Sequence, residues 1–159
     1  MSAIESVDAL VELIRQHPET ANYTGGLSPA DIAHAEALLD TSFPPSYRRF
    51  LEELGSCEAD GEEFLGIYRT PGMGEQLLGT VIETLEVRRD LPLPHSLLII
   101  QNGGMGGFVS LDVSRLDADG EAPVVVWDPG TPDRGEPELL AGDFGSYALR
   151  ACTRALGRG

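Results

Sequence analysis

Lysine is absent from this chain: its eleven basic residues are all arginine, against 26 acidic ones, for a formal net charge of −15. We read the missing lysine as compositional bias and not as mechanism. The shortage of positive charge has more consequence, because binding phosphates or an anionic membrane requires a cationic surface that releases counterions. Nucleic acid and membrane partners are therefore excluded, and a basic partner is permitted. Cysteine is nearly absent too. Cys57 and Cys152 are too few for a disulfide scaffold and lack the spacing of a zinc site, so buried thiols in a reducing compartment are expected. No apolar run reaches the roughly 18 residues of a membrane span, and nothing resembles a signal peptide. The expected location is cytoplasmic. With 159 residues the chain has the length of one domain, 1–159, with enough surface to bury a core.

Catalytic patterns are equally scarce. Gly103-Gly104-Met105-Gly106-Gly107 could aim amides at an anion, but no Lys-Ser or Lys-Thr follows and a strand comes next, so a hairpin is expected. Asp117, Asp119 and Gly120 partly imitate a calcium loop. In that register Arg115 and Val126 take the first and twelfth ligand positions, which leaves a plain turn. His17, His34 and His95 have no nucleophile in a known pattern beside them, and Ser46 and Ser110 lack an elbow context. No cofactor, metal or enzymatic activity is expected.

What is present is a series of helix and strand signals. Val7, Leu10, Val11 and Ile14 share one face of a helix from Ile4 to about Gln16, ended by His17-Pro18; a polar loop, Glu19 to Gly26, follows. Ser28, Pro29 and Asp31 open a second helix with Ile32, Ala35, Leu38 and Leu39 as its apolar stripe, closed by Phe43-Pro44-Pro45. Pro45 opens a third, carrying Tyr47, Phe50, Leu51 and Leu54 inward and stopping at Gly55. Glu63 to Tyr68 reads as a strand broken at Gly66, and Pro71 to Gly74 as an irregular turn. Thr80 to Ile82 is expected to be extended and Glu83 to Asp90 a short helix. Leu97 to Gln101 is a strand buried on both faces. Asn102-Gly103-Gly104 turns the chain into a strand from Phe108 to Val113, and Asp117 to Gly120 signals a hairpin into Pro123–Trp127. Trp127 is expected in the core. A loop covers Asp128 to Gly142, and Asp143 caps a last helix presenting Phe144, Tyr147, Ala148 and Ala151. Together these predict an α+β fold with a central, mainly antiparallel sheet of about four to six strands and helices packed against it.

Six acids, Glu52, Glu53, Glu58, Asp60, Glu62 and Glu63, fall within a short stretch with no compensating base. Such a patch either steers a basic ligand or is a solvated helix end and loop. Glu53 near a helix C-terminus is mildly unfavourable, which tilts the choice toward function. Asp117, Asp119 and Glu121 form a second candidate contact.

The order of several motifs resembles the SUKH superfamily, the Smi and Knr type proteins. These are Ile32 with Glu36; Phe43-Pro44-Pro45-Ser46-Tyr47-Arg48-Arg49-Phe50-Leu51; Gly55; Glu63-Phe64-Leu65-Gly66-Ile67; Leu93-Pro94 before Leu97 to Ile100; Asn102-Gly103-Gly104 before Phe108; Val124 to Asp128; and Phe144 with Tyr147. The similarity covers about Leu27 to Leu149. Phe43 stands where the family usually has leucine, and Ser56-Cys57 where it often continues with glycine or asparagine. The resemblance implies a non-catalytic binding module. Bacterial members are implied to be immunity proteins that neutralise toxins, often nucleases or deaminases; fungal members are regulatory interaction proteins. A toxin's cationic cleft would suit an acidic inhibitor. The alternatives are a housekeeping regulatory scaffold that binds an endogenous partner and, from a third class, a hydrolase assembled from scattered His, Asp and Ser residues.

Overall fold

A computed structural model describes residues 1–102, 107–130 and 137–157. The glycine run at 103–106, including the turn after Asn102, lies outside the described residues, as does part of the stretch between Asp128 and Gly142. In chain order the elements are α1 (Ala3–Arg15), β1 (Ala21–Tyr23), α2 (Pro29–Leu39), α3 (Pro45–Glu53), β2 (Cys57–Ala59), β3 (Glu62–Phe64), β4 (Ile67–Tyr68), β5 (Leu78–Gly79), α4 (Thr80–Asp90), β6 (Leu97–Asn102), β7 (Phe108–Asp112), β8 (Val124–Trp127), β9 (Glu138–Ala141) and α5 (Phe144–Gly157). Every strand pairing is antiparallel. The sheets are β1-β2-β3, β4-β5 and β6-β7-β8-β9. The fold is α+β.

Capping chemistry sets the helix starts. Ser2 and Glu5 close a reciprocal capping box on α1, Ser28 accepts from the Asp31 amide, and Asp143 accepts from the Ser146 amide at the start of α5. Several boundaries differ from the sequence expectation. α2 stops at Leu39, four residues short of Phe43, because Asp40 takes a left-handed conformation (φ 54°). Leu38 lies off the buried stripe of Ile32, Ala35 and Leu39 and is 43% exposed. Thr80–Ile82 belongs to α4 and is not extended, and Pro71–Met73 forms one 3₁₀ turn. Strands β1 and β9 occupy segments that read as polar or acidic loops. Both are short and lie at sheet edges, so neither carries the long alternation by which strands are recognised.

The main core gathers Val7, Leu10 and Ile14 of α1, the inward face of α3, and Phe144 of α5. The Phe144 ring centre is 5.0 Å from those of Tyr47 and Phe50 and 5.9 Å from that of Phe64. Strand β6 is buried on both sides: Leu98 and Ile100 join this core, while Leu97 and Ile99 join Trp127, Val125, Val87 and Leu93 beyond the sheet. The buried Tyr47 hydroxyl lies 2.8 Å from the Leu65 carbonyl and 2.8 Å from Thr80 Oγ1, and Thr80 Oγ1 is 2.9 Å from the Ile99 carbonyl. Burial raises the Tyr47 pKa well above that of a free phenol. Tyr47→Phe removes one hydroxyl from this shared network and should cost about 1–2 kcal/mol in urea unfolding.

Four glycines stack where backbone meets backbone. A Cβ on Gly55 would overlap the Gly25 carbonyl, one on Gly66 the Gly55 carbonyl, and one on Gly79 the Gly66 carbonyl. The same carbonyls are in use, since the Ile67 amide donates to Gly55 O at 2.9 Å and the Thr80 amide to Gly66 O at 2.8 Å. At these steps of the ladder the closest approach is backbone to backbone.

Candidate protein-binding surface

The acid-rich stretch after α3 is a hairpin. Asp60 and Gly61 both have positive φ (46° and 90°), the geometry of a two-residue type I′ turn between β2 and β3. The Asp60-Gly61 dipeptide was the signal for it, hidden by the shortness of the flanking strands. Alternation then sorts the carboxylates by face. Cys57, Ala59 and Phe64 point into the core. Glu58 lies directly opposite Glu63, and Asn22 of β1 directly opposite Glu58, so these three form one row on the outer face.

The row is held in place. Asn22 Nδ2 donates to Glu58 Oε2 at 3.2 Å, and the Gly61 amide to Glu58 Oε1 at 3.1 Å. Glu62, on the other face at the hairpin end, accepts from Gln101 Nε2 at 2.9 Å; the same amide reaches the Glu63 carbonyl at 3.0 Å, and the Tyr147 hydroxyl donates to Gln101 Oε1 at 2.8 Å. Burial, with the nearby Glu62 charge adding to it, holds the Tyr147 hydroxyl above its ordinary pKa. A cleft of about 430 Å³ opens here between the hairpin and β6, lined by Glu62, Glu63, Gln101 and Asn102 among others. Neither Gln101 nor Asn22 stands out in the sequence, because their importance comes from register across strands remote in the chain.

The six acids do not act as one unit. Glu53 is compensated, lying 3.7 Å from both Arg15 and Arg49, and Arg49 also binds Asp8 at 2.9 Å. The expectation that no base answers this stretch therefore fails at Glu53, whose partners come from α1 and from one turn back on α3. Glu52 is exposed at the end of α3. Among the described residues, Glu52, Glu58, Asp60, Glu62 and Glu63 have no arginine partner.

A family comparison decides the scaffold's kinship: the model of the SMI1 / KNR4 family (SUKH-1) matches residues 26–150. The chain belongs to this family. Membership in SUKH-1 fits a protein-binding module. The side chains behind the earlier resemblance mostly hold this SUKH-1 scaffold together. Glu36 Oε2 accepts from the Phe43 amide at 2.7 Å and from Arg48 Nη2 at 2.6 Å, locking the proline corner between α2 and α3. Phe43, Tyr47, Phe50, Leu51, Phe64 and Ile67 are all core. α1 lies before the matched segment, yet its inward face is part of the same core.

The second acidic candidate in this SUKH-1 protein has a different role. Asp117 and Asp119 are exposed on the β7–β8 connection, but Glu121 is only 4% exposed. Its carboxylate accepts from the Ser46 amide at 2.9 Å and from Ser46 Oγ at 2.7 Å, and Ser46 Oγ in turn accepts from the Gly145 amide at 3.2 Å. Asp117 Oδ1 accepts from the Asp119 and Glu121 amides. With Asp143, these acids border a cavity of about 420 Å³ that also touches Ser2 and Pro45, where α1, α3 and α5 all begin. Three positive helix ends converge there and negative charge complements them. Glu121 is accordingly a capping residue and no part of an open contact face.

Burial raises the Glu121 pKa above its ordinary 4.5 despite the Ser46 hydrogen bonds. The folded state then holds this proton more tightly than the unfolded chain. The stabilisation is complete below 4.5 and is lost as pH rises through the elevated folded pKa. Urea midpoints measured from pH 4 upward should fall for wild type relative to Glu121→Gln, which has no proton to release; parallel curves would remove this assignment.

The histidines do not assemble. His17 Nδ1 contacts the Leu13 carbonyl, His34 is exposed on α2, and His95 Nε2 is 3.4 Å from Asp40. Among the described residues no cluster of His, Cys, Asp or Glu has metal-binding geometry, and no helix is long and apolar enough to cross a membrane.

Proposed function

We propose that this SUKH-1 protein is a non-catalytic immunity protein that binds a basic toxin domain, with a nuclease or deaminase as the target class, through the outer face and tip of the β2–β3 hairpin. The observation that carries this reading is the pairing of Glu58 directly against Glu63. Like charges at facing strand positions destabilise a sheet, and an arginine at either position would relieve the cost. Retaining two carboxylates there without an arginine partner, with Glu58 fixed by Asn22 and the Gly61 amide, makes sense when a cation arrives from outside. Glu62 and Asp60 extend the same negative field, with Glu52, Asp117 and Asp119 as more distant contributors. A nuclease cleft is lined with cations that bind phosphates, and fixed carboxylates can take those positions.

The direct test is co-expression with the product of the adjoining gene. Rescue of growth from that product, together with co-purification that weakens as salt rises, is the expected result. A neighbour that is harmless, combined with recovery of the chain bound to an endogenous protein, would replace immunity by the regulatory scaffold reading.

A further inference from the structure

The molecule contains one pair of groups for which the binding role has no use. Cys57 sits on the inner face of β2 and Cys152 on α5; both are free, 3% and 0% exposed, and both belong to the same core cluster, where α5 packs against β2 and β3. Two cysteines far apart in sequence have been brought together by the packing of α5 against the sheet. We propose that Cys57 and Cys152 are a reversible disulfide pair that clamps α5 to the hairpin when the surroundings become oxidising.

The reaction needs an oxidant, and a small disulfide such as glutathione disulfide suffices. The thiolate of one cysteine attacks it, forming a mixed disulfide and releasing one glutathione thiolate that takes up a proton. The second cysteine, losing its own proton, attacks the mixed disulfide, closes the protein bond and releases a second glutathione. Two protein thiols are oxidised by two electrons, and one glutathione disulfide becomes two glutathiones.

Burial governs when this happens. The contact with Cys152 and the loss of water hold the Cys57 thiol well above the usual thiol range, so the closed fold supplies little thiolate. Cys152 lies within the last two turns of α5, which ends at Gly157. Fraying of a helix end is among the less costly openings in a fold, and it offers the route by which oxidant enters. Reclosure then brings the sulfurs together. Because Cys57 faces inward while Glu58 and Glu63 face outward, the crosslink leaves the acidic row uncovered. The device therefore acts on the persistence of the folded protein and leaves its contact surface in place.

The experiment equilibrates the full chain in glutathione and glutathione disulfide buffers, with and without denaturing urea, then quantifies the internal disulfide by alkylation and mass spectrometry. A prearranged pair should close about a hundredfold more readily in the native chain than in the denatured one. By linkage, the crosslinked chain should unfold at higher urea, and dithiothreitol should reverse the shift. Cys152→Ser should abolish both effects. A native preference equal to or below that of the denatured chain, or only glutathione adducts and intermolecular dimers, would overturn the proposal. That ratio needs wild type alone, so it decides the matter even if the serine variant folds poorly.

Discussion

Gly66→Ala is expected to destabilise the protein by about 3 kcal/mol, the upper end of the usual cost of overpacking a tightly packed site. The methyl group would land on the Gly55 carbonyl oxygen and close to the Ser56 Cα, both backbone atoms. A clash with a flexible side chain relaxes by rotation, but here relief means separating two chain segments. That separation pulls on the Ile67 amide bonded to Gly55 O and on the Thr80 amide bonded to Gly66 O. Thr80 also carries the hydroxyl that meets Tyr47, so the strain should spread into the central polar network. Gly72→Ala is the matched control, with open space around the new methyl and an expected change within about 0.5 kcal/mol. Urea unfolding of the two variants measures the contrast. Equal stabilities would mean that the glycine ladder is looser than described.

Glu63→Arg should separate binding from stability. In the sheet it converts a facing pair of like charges into a facing ion pair with Glu58, and stability should rise by roughly 0.5 kcal/mol. Against a basic partner it replaces attraction by repulsion at the centre of the proposed surface. Association at low salt should slow by about tenfold, with a smaller deficit at high salt as screening removes the field. A destabilised variant would show both losses together, so opposite signs are diagnostic of a residue kept for contact. Glu63→Gln should fall between wild type and Glu63→Arg in both measurements. If Glu63→Arg binds at the wild-type rate with the wild-type salt dependence, the outer row is not the contact surface, although immunity through other contacts would stand.

The two results bear on different layers of the same molecule. Gly66 lies in the packing of the scaffold. Glu63, three residues earlier on β3, lies on a solvated face, where the chain tolerates a cost that packing does not require.

Local chemistry was legible in the sequence wherever it acts over a few residues. The Ser2 to Glu5 spacing is not needed to see α1, since Val7, Leu10, Val11 and Ile14 already mark its buried face; Ser28-Pro29 marks the start of α2, Gly55 the end of α3, and Leu97–Ile100 a strand covered on both sides. The α+β class and the SUKH-1 kinship follow from the order of such signals. Pairing across distance was not legible. Strands of three or four residues such as β1, β2 and β9 hold too little pattern to declare themselves, and they exist because neighbours supply their hydrogen bonds. Register decided that Glu58 faces Glu63 outward, the packing of α1 on α3 brought Arg15 to Glu53 beside Arg49 of the same helix, and the path of the β7–β8 connection drew Glu121 inside to cap α3. Acidity is a property of composition, but whether a carboxylate meets solvent, an arginine or an amide is settled only when chain segments far apart in sequence come to rest against one another.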